Sequence, residues 1–577
     1  MRICLSWVRL LVVCLVPLLA LGCHGCKEAE KKPVVMAELP EVPAPAHHVA
    51  DVFIAKPEET FSNLRNRIGG PLALLPSTFP SMVVTSLGLT VQLLEQVDGK
   101  SPVLGVVTDD GSRVVVVVGI HVRDGSRTVQ LLTEGADAKY TAKPADRGVV
   151  VLEPKPTLTS RVSALGVAGN YLLTAEKAED LLQCGPYVTG TLPKRKGPEG
   201  EITLVTHKAA LQGPLAKRIR DTWASFKTDR EKDDEKLRKE RGRKPDFGEP
   251  AAALADVGGK VDAIVALLSD LDQAHVRIDT DTTGIHALLT MIPASSDGRA
   301  AKEFSSLVTG DLAPLLAMPQ DTVLGVLIRD DAAGREQGAK EQADGLSSLL
   351  GERVKDSDKQ RIHEAMSSWS NGRGDWLAAA VRWTREDQEA IVRGAVSDPA
   401  MLERGIRDVL GLLDVPAVRE PLEHHLGKLA LSKVQKVGPG SVMHVDRQKK
   451  VPEGQPPQTS AFDVAWRVDG SGFEARARQD GKGWLKADGG EKPPALGEHP
   501  TTSKVFAGVG GDASFVLFFD PQLFLSSMAP RGAKVKEPNA PFVLAYGGAS
   551  KQGWFKFALS HASARELIKM LGRRELK

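Results

Sequence analysis

His275-Val276-Arg277-Ile278-Asp279-Thr280, then Asp281-Thr282-Thr283-Gly284, then Ile285-His286-Ala287-Leu288-Leu289, spells two strands around a turn. Val, Ile and Thr favour extended backbone, while the Asp and Gly between them bend the chain back. The pattern predicts an antiparallel hairpin. Arg113-Val114-Val115-Val116-Val117-Val118 reads as a second buried strand, bracketed by Asp110-Gly111 and Asp124-Gly125. It is far shorter than the roughly 20 apolar residues a membrane span needs. Helix-period patterns occupy Gln337–Leu350, Lys359–Trp369, Pro399–Leu413 and Ala562–Leu571, and a long one runs from Leu215 into Arg241. The late part of that helix, Lys227 to Lys244, mixes charges of both signs, as a solvated face with i,i+4 pairs does. Antiparallel strands interleaved with helices give an α+β fold class.

The pattern also repeats. Phe61-Ser62-Asn63-Leu64, Pro71-Leu72 and Pro76 return as Phe304-Ser305-Ser306-Leu307, Pro314-Leu315 and Pro319, always 243 positions later. Each copy reads as a helix that breaks at a Pro. Each then enters an apolar run read as a strand, Ser81–Val84 in one and Thr322–Ile328 in the other. Fainter echoes follow in order: Gly169-Asn170-Tyr171-Leu172 with Gly481–Leu485, and Glu201–Val205 with Ser514–Phe518. The expected architecture is two tandem duplicated modules, residues 51–293 and 294–577, each an antiparallel sheet packed by helices. A repeat this long is not a solenoid, whose units run about 20–50 residues.

Ahead of the modules, Arg2 and Arg9 precede an apolar run from Leu10 to Leu21, closed by Gly22-Cys23. A positive start, a dozen apolar residues and a small residue have the layout of a secretory signal. With the cysteine, the segment resembles a bacterial lipoprotein signal peptide, although Ala20 stands where that family usually has Leu. The resemblance implies cleavage after residue 22, lipidation of Cys23 and attachment to a bilayer through acyl chains. His24 occupies the position where an Asp would imply inner-membrane retention, so the resemblance implies the periplasmic face of the outer membrane. Residues 23–50 are expected to form a flexible linker, whose stretch from Lys27 to Ala50, rich in charge, Pro and Ala, would reach about 70 Å when extended. His47-His48 falls in that linker, where no metal site is expected. The body resembles large bacterial envelope lipoproteins of mixed α/β character, which implies no specific activity.

The chain has 577 residues, too many for one core, with 75 Lys+Arg against 73 Asp+Glu. Removing Arg2 and Arg9 with the signal balances the charges, which argues against nucleic acid as a partner. Cys4 and Cys14 leave with the signal, so Cys26 and Cys184 remain beside Cys23. Cys184 is expected to be a small buried hydrophobe, with pairing to Cys26 the alternative.

Motifs that force a chemistry are missing from the sequence. Gly258-Gly259-Lys260 is followed by Val261 rather than Ser or Thr, so it is no phosphate loop. His363-Glu364 has no second His four residues on, and His424-His425 are adjacent. His121, His207 and His444 are scattered. Asp279–Gly284 begins like a calcium loop, but Thr290 stands where the bidentate Glu belongs. The acidic pairs Asp109-Asp110 and Asp330-Asp331 fall at strand ends, and Arg373-Gly374-Asp375 reads as a turn. Cys184-Gly185-Pro186-Tyr187 reads as a helix end, and Trp369, Trp376 and Trp383 as packing of one module's core. The expectation is a non-enzymatic, membrane-tethered envelope lipoprotein with a binding or assembly role and no cofactor. Its partner would be an envelope protein or an apolar ligand. The alternatives are an envelope hydrolase without a recognisable motif and a carrier of apolar ligands.

Overall fold

The computed structural model describes residues 39–575 except 136–137, 145, 156–163, 242–249, 384–387, 450–457, 487–492, 529–539 and 550. Cys23, Cys26 and the 1–22 signal lie outside the described residues. The fold is α+β with antiparallel sheets. The chain forms two compact units. Unit 1 takes in residues up to Thr222, Val265–Gly298 and the chain end from Ala564; unit 2 takes in Trp223–Ile264 and Arg299–Ser563.

Unit 1 contains strands β1 (His48–Ile54), β2 (Val103–Asp109), β3 (Val114–His121), β4 (Tyr140–Ala142), β5 (Val150–Pro154), β6 (Ala164–Ala168), β7 (Tyr171–Ala175), β8 (Ile202–His207), β9 (Leu271–Thr280) and β10 (Ile285–Pro293). They pair antiparallel in the order β4-β5-β6-β7-β3-β2-β1-β8-β9-β10. Helices α1 (Pro57–Asn63), α2 (Phe79–Ser86) and α3 (Gly125–Thr133) bury Phe61, Phe79, Met82, Val83 and Leu132 with Val103, Ile120, Leu165 and Leu172. Helix α4 (Ala178–Gly190) buries Leu181, Cys184 and Val188 with Leu104, Val106, Val117 and Leu173. Neighbouring positions of one strand, such as Val117 and Val118 or Leu172 and Leu173, thus serve opposite cores. That is why these strands read as apolar runs rather than as alternating patterns. Helices α5 (Ala216–Arg241) and α6 (Pro250–Ser269) follow β8.

Unit 2 contains β11 (Thr322–Arg329), β12 (Arg373–Trp383), β13 (Gln388–Val396), β14 (Lys428–Leu431), β15 (Gln435–Val437), β16 (Gly440–Lys449), β17 (Gln458–Val468), β18 (Gly472–Arg478), β19 (Phe515–Phe519), β20 (Phe542–Ala549) and β21 (Gln552–Leu559). Its helices are α7 (Arg299–Ser305), α8 (Ala313–Leu316), α9 (Ala332–Leu350), α10 (Asp356–Gly372), α11 (Pro399–Gly411), α12 (Pro416–Leu426), α13 (Gly481–Lys486), α14 (Pro500–Val509) and α15 (Pro521–Met528). The terminal helix α16 spans His561–Glu575. Strands β14 and β15 both pair with β16. From there the order runs β16-β17-β18-β13-β12-β11-β19-β20-β21, again antiparallel throughout.

Apart from one additional strand beside β16, the two orders coincide strand by strand. β1 and β11 each sit between a near neighbour (β2, β12) and a late partner (β8, β19). A final hairpin then completes that side, β9-β10 or β20-β21. The N-caps follow the same correspondence. Asp124 caps α3 by accepting from the amide of Arg127, and Asp398 caps α11 by accepting from that of Met401. The two caps lie 274 positions apart, 124 to 398.

The structure corrects several sequence expectations. Ser81–Val84 belongs to helix α2, not to a strand. Thr78 caps that helix by accepting from the Ser81 amide, Pro80 sits in its first turn, and Phe79, Met82 and Val83 are buried at helical spacing. The 243-residue offset therefore sets a helix against strand β11. Pro71 falls after β1, in a short 3-10 turn, whereas Pro314 falls in α8, before β11. Gly169-Asn170 is the turn between β6 and β7, whereas Gly481–Leu485 lies in α13. Of the fainter echoes only Glu201–Val205 with Ser514–Phe518 falls on strands of equivalent rank, β8 and β19.

The described end of the expected linker is ordered against unit 1. Leu39 and Val42 pack on its core, the Val42 amide donates to Thr191 Oγ1 (2.9 Å), and His48 opens β1. Cys184 to Tyr187 lie inside α4, not at its end. Gly185 lets the helix lie close there: a Cβ would stand 2.8 Å from a Leu173 methyl, which would have to shift. Arg373 belongs to β12 rather than to a turn and clasps Asp330 through both terminal nitrogens (2.9 and 2.5 Å). The three tryptophans do not share one core: Trp369 packs edge-on to Phe473, Trp376 joins a different cluster, and Trp383 is 38% exposed against Phe524. Gly258-Gly259-Lys260 sits within α6.

Candidate functional site

Three groups of side chains stand out, one in unit 1 and two in unit 2. In unit 1, Asp51 of β1 is 1% exposed and points to the side carrying α4. Its carboxylate lies 2.8 Å from His48 Nε2, 3.0 Å from Arg195 and 3.5 Å from His207 Nε2, and accepts from the Tyr187 hydroxyl at 3.0 Å. The His48 and His207 rings stack with centroids 6.2 Å apart, and the Arg195 guanidinium lies 5.5 Å from the Tyr187 ring centre. Burial alone would raise the Asp51 carboxyl. Hydrogen bonds with His207, His48 and Tyr187 outweigh it and hold the group well below the usual carboxylate range. Burial, then the Asp51 charge, pushes the Tyr187 phenol upward. With donors on both oxygens, the carboxylate fixes β1, α4 and β8 together. Among the described residues no set of three His, Cys, Asp or Glu side chains is placed to hold a metal ion.

In unit 2 one face of β12, β13, β18 and β17 carries a ladder of Arg and Glu. Glu389, whose side chain is wholly buried, meets Arg382 (2.6 Å), Arg476 (3.0 Å) and Arg478 (3.2 Å). Glu474 meets Arg476 (2.6 Å), Arg467 (3.2 Å) and Arg393 (3.3 Å). Trp484 of α13 lies against both Arg467 and Arg476, 5.3 and 4.9 Å from the ring centre. Directly opposed pairs such as Arg382 with Glu389 and Arg393 with Glu474 set the register of these strands.

The opposite face of the same sheet holds a cavity of about 300 Å3. On β16, Met443, Val445 and Arg447 alternate onto one side, and Val464 and Phe462 of β17 stand opposite the first two. Leu429 of β14 pairs with Arg447. Leu422 of α12 and Leu413, from the turn after α11, complete the wall. Seven of these eight lining side chains are apolar, and Arg447 is the exception. Helix α12 is fastened beside the cavity: Arg419 Nε donates to Glu423 (2.8 Å), the Leu429 amide donates to the same carboxylate (3.0 Å), and Arg419 also donates to the Leu429 carbonyl. The Leu429 amide and Arg419 hold the Glu423 carboxyl below its ordinary range. The volume lies at the lower edge of what small-molecule pockets span, about 300–1,000 Å3.

No protein family, curated protein or solved structure matches the chain. The site is therefore read from its own chemistry. A wall of Leu, Met, Val and Phe offers dispersion and exclusion of water, and one guanidinium offers a directed charge.

None of the eight lining residues was singled out in the sequence. The only signal was Arg447, breaking an otherwise apolar alternation along Met443, Val445 and Arg447. His48 and His207, read as a linker residue and a scattered one, converge on Asp51. Cys184 is buried and unpaired, and burial pushes its thiol up to about 11. Cys23 is not among the described residues. Among those residues no helix is long and apolar enough to cross a membrane.

Proposed function

We propose that the chain is a bacterial envelope lipoprotein, held by lipid on Cys23 at the periplasmic face of the outer membrane, that binds an apolar ligand without transforming it. The observation that carries the binding role is the unit 2 cavity with its seven apolar lining side chains. The tether rests on the Arg2–Cys23 pattern. A duplication underlies the body in this reading, supported by the shared strand order of the two units and by the paired caps Asp124 and Asp398. Its register is that of the strands, not the 243-residue offset.

Two measurements test the reading. Replacing Cys23 with Ala should release the protein from the membrane fraction and remove the mass of the acyl chains; an unchanged mass and fraction would sink the tether. The released full chain should bind an uncharged apolar fluorophore such as N-phenyl-1-naphthylamine. Filling the cavity with Val464→Phe should abolish that binding, at a stability cost of about 1–3 kcal/mol from overpacking. Equal binding by the filled variant would remove the cavity from the argument.

A second reading, docking of an envelope protein, has its own observation. Leu324 (37% exposed) and Ile328 (38%) of β11 share a sheet face with Trp383 (38%), and α15, which packs on β11 and β12, exposes Leu525 (57%). Grouped exposed apolar side chains mark interaction surfaces. Leu324→Asp with Ile328→Asp should then release any co-purifying protein while leaving fluorophore binding intact.

A further inference from the structure

From the placement of Arg447 we infer that the cavity takes a single-chain amphiphile with an anionic head, the chain within and the head at the guanidinium. This deepens the apolar-ligand reading and rests on it. The capacity comes first. A cavity of about 300 Å3 holds about ten water-sized groups at ~30 Å3 each, which corresponds to a chain of about ten carbons. Such a chain would lie against Met443, Val445, Phe462 and Val464 and give up nothing polar.

The head follows from charge. Arg447 is the one polar side chain in the lining, and a guanidinium pairs with carboxylate, sulfate or phosphate through two parallel N–H donors. On α12, the Glu423 carboxylate already accepts from Arg419 and from the Leu429 amide. Lys428 of β14 adds a cation that acts on that same carboxylate. The guanidinium repels a cationic head, and it offers an uncharged one a hydrogen bond without an ion pair. A guanidinium has five donors, so it can receive an anionic head and keep a neighbouring contact.

The experiment titrates the full chain carrying Cys23→Ala, prepared without detergent, with decanoate, decyl phosphate, 1-decanol and decyltrimethylammonium by calorimetry. Decanoate or decyl phosphate should bind at least tenfold more tightly than decanol, and the ammonium most weakly. Arg447→Leu should weaken the anions by about tenfold to a hundredfold, the range for a hydrogen bond to a charged group, and leave decanol unchanged. Arg447→Lys should recover part of the loss. Thermal melts of each variant separate lost binding from lost folding. Preference for decanoate assigns a fatty-acid head, and preference for decyl phosphate a phosphate head. Equal binding of anions and decanol, unmoved by Arg447→Leu, overturns the head-group inference and leaves the apolar reading standing. Binding of none of the four overturns both.

Discussion

Asp51 shows how much of unit 1 hangs on one side chain. Replacing it with Asn keeps the shape and removes the charge that His48, His207 and Arg195 share. Because the group is buried and multiply paired, the loss should be about 3 kcal/mol, read from urea unfolding at pH 7. The pH dependence follows from its lowered folded pKa. Unfolded, the carboxyl titrates near ~4; folded, it holds its charge further down. Its contribution is thus present above that value and drains away as pH falls through the folded pKa. Wild type and Asp51→Asn should therefore converge in acid, and a gap that stays constant to pH 2 would refute the account. Tyr187→Phe removes one donor only and should cost about 1 kcal/mol. None of this was legible in the sequence, because residues 48, 51, 187, 195 and 207 meet only once β1 lies beside β8 under α4. By contrast, the burial expected of Cys184 needed only its residue type and apolar surroundings.

At the scale of elements, local chemistry was legible wherever it was self-contained. The β9-β10 hairpin, strand β3 and helices α5, α9, α10 and α11 form at or near the places that periodicity and turn residues indicate. Asp281 shows why: it accepts from the amides of Thr283 and Gly284, so the turn is written in four adjacent residues. Helix α2 misread because a Met-Val-Val run favours strand and helix alike. A cap and a proline decided it, and the cap bond is a local detail beneath the apolar pattern. The paired caps allow a direct check. Asp124→Ala and Asp398→Ala should each cost about 1 kcal/mol, measured by denaturation, and the two together should cost the sum, since the caps share no partner. Glu389 is a harsher test. Its removal takes the carboxylate from Arg478 and one of two from Arg382 and Arg476, which keep Asp321 and Glu474, so Glu389→Ala should lose about 3 kcal/mol. Loss below 1 kcal/mol would mean that the ladder sets register without holding the sheet.

On the scale of the whole molecule, the α+β class was readable from strands and helices alternating along the chain. Strand order was not. Nothing in β1 announces that it will lie between β2 and β8, since that choice is made by faces buried much later in the sequence. If the two units share an origin, superposing their sheets in an experimental structure should bring Asp124 onto Asp398 and β1 onto β11; a fit that needs the 243-residue offset would refute the register proposed above. The central position of β1 and β11 has a kinetic consequence. Each is the first strand of its sheet to leave the ribosome, yet Asp51 must wait for Val205 and Leu324 for Phe519. Such distant partners make chain closure slow. Through that wait, one apolar edge of each nascent sheet stays open to whatever else is near. The slower the synthesis between β1 and β8, or between β11 and β19, the longer that edge is exposed to aggregation.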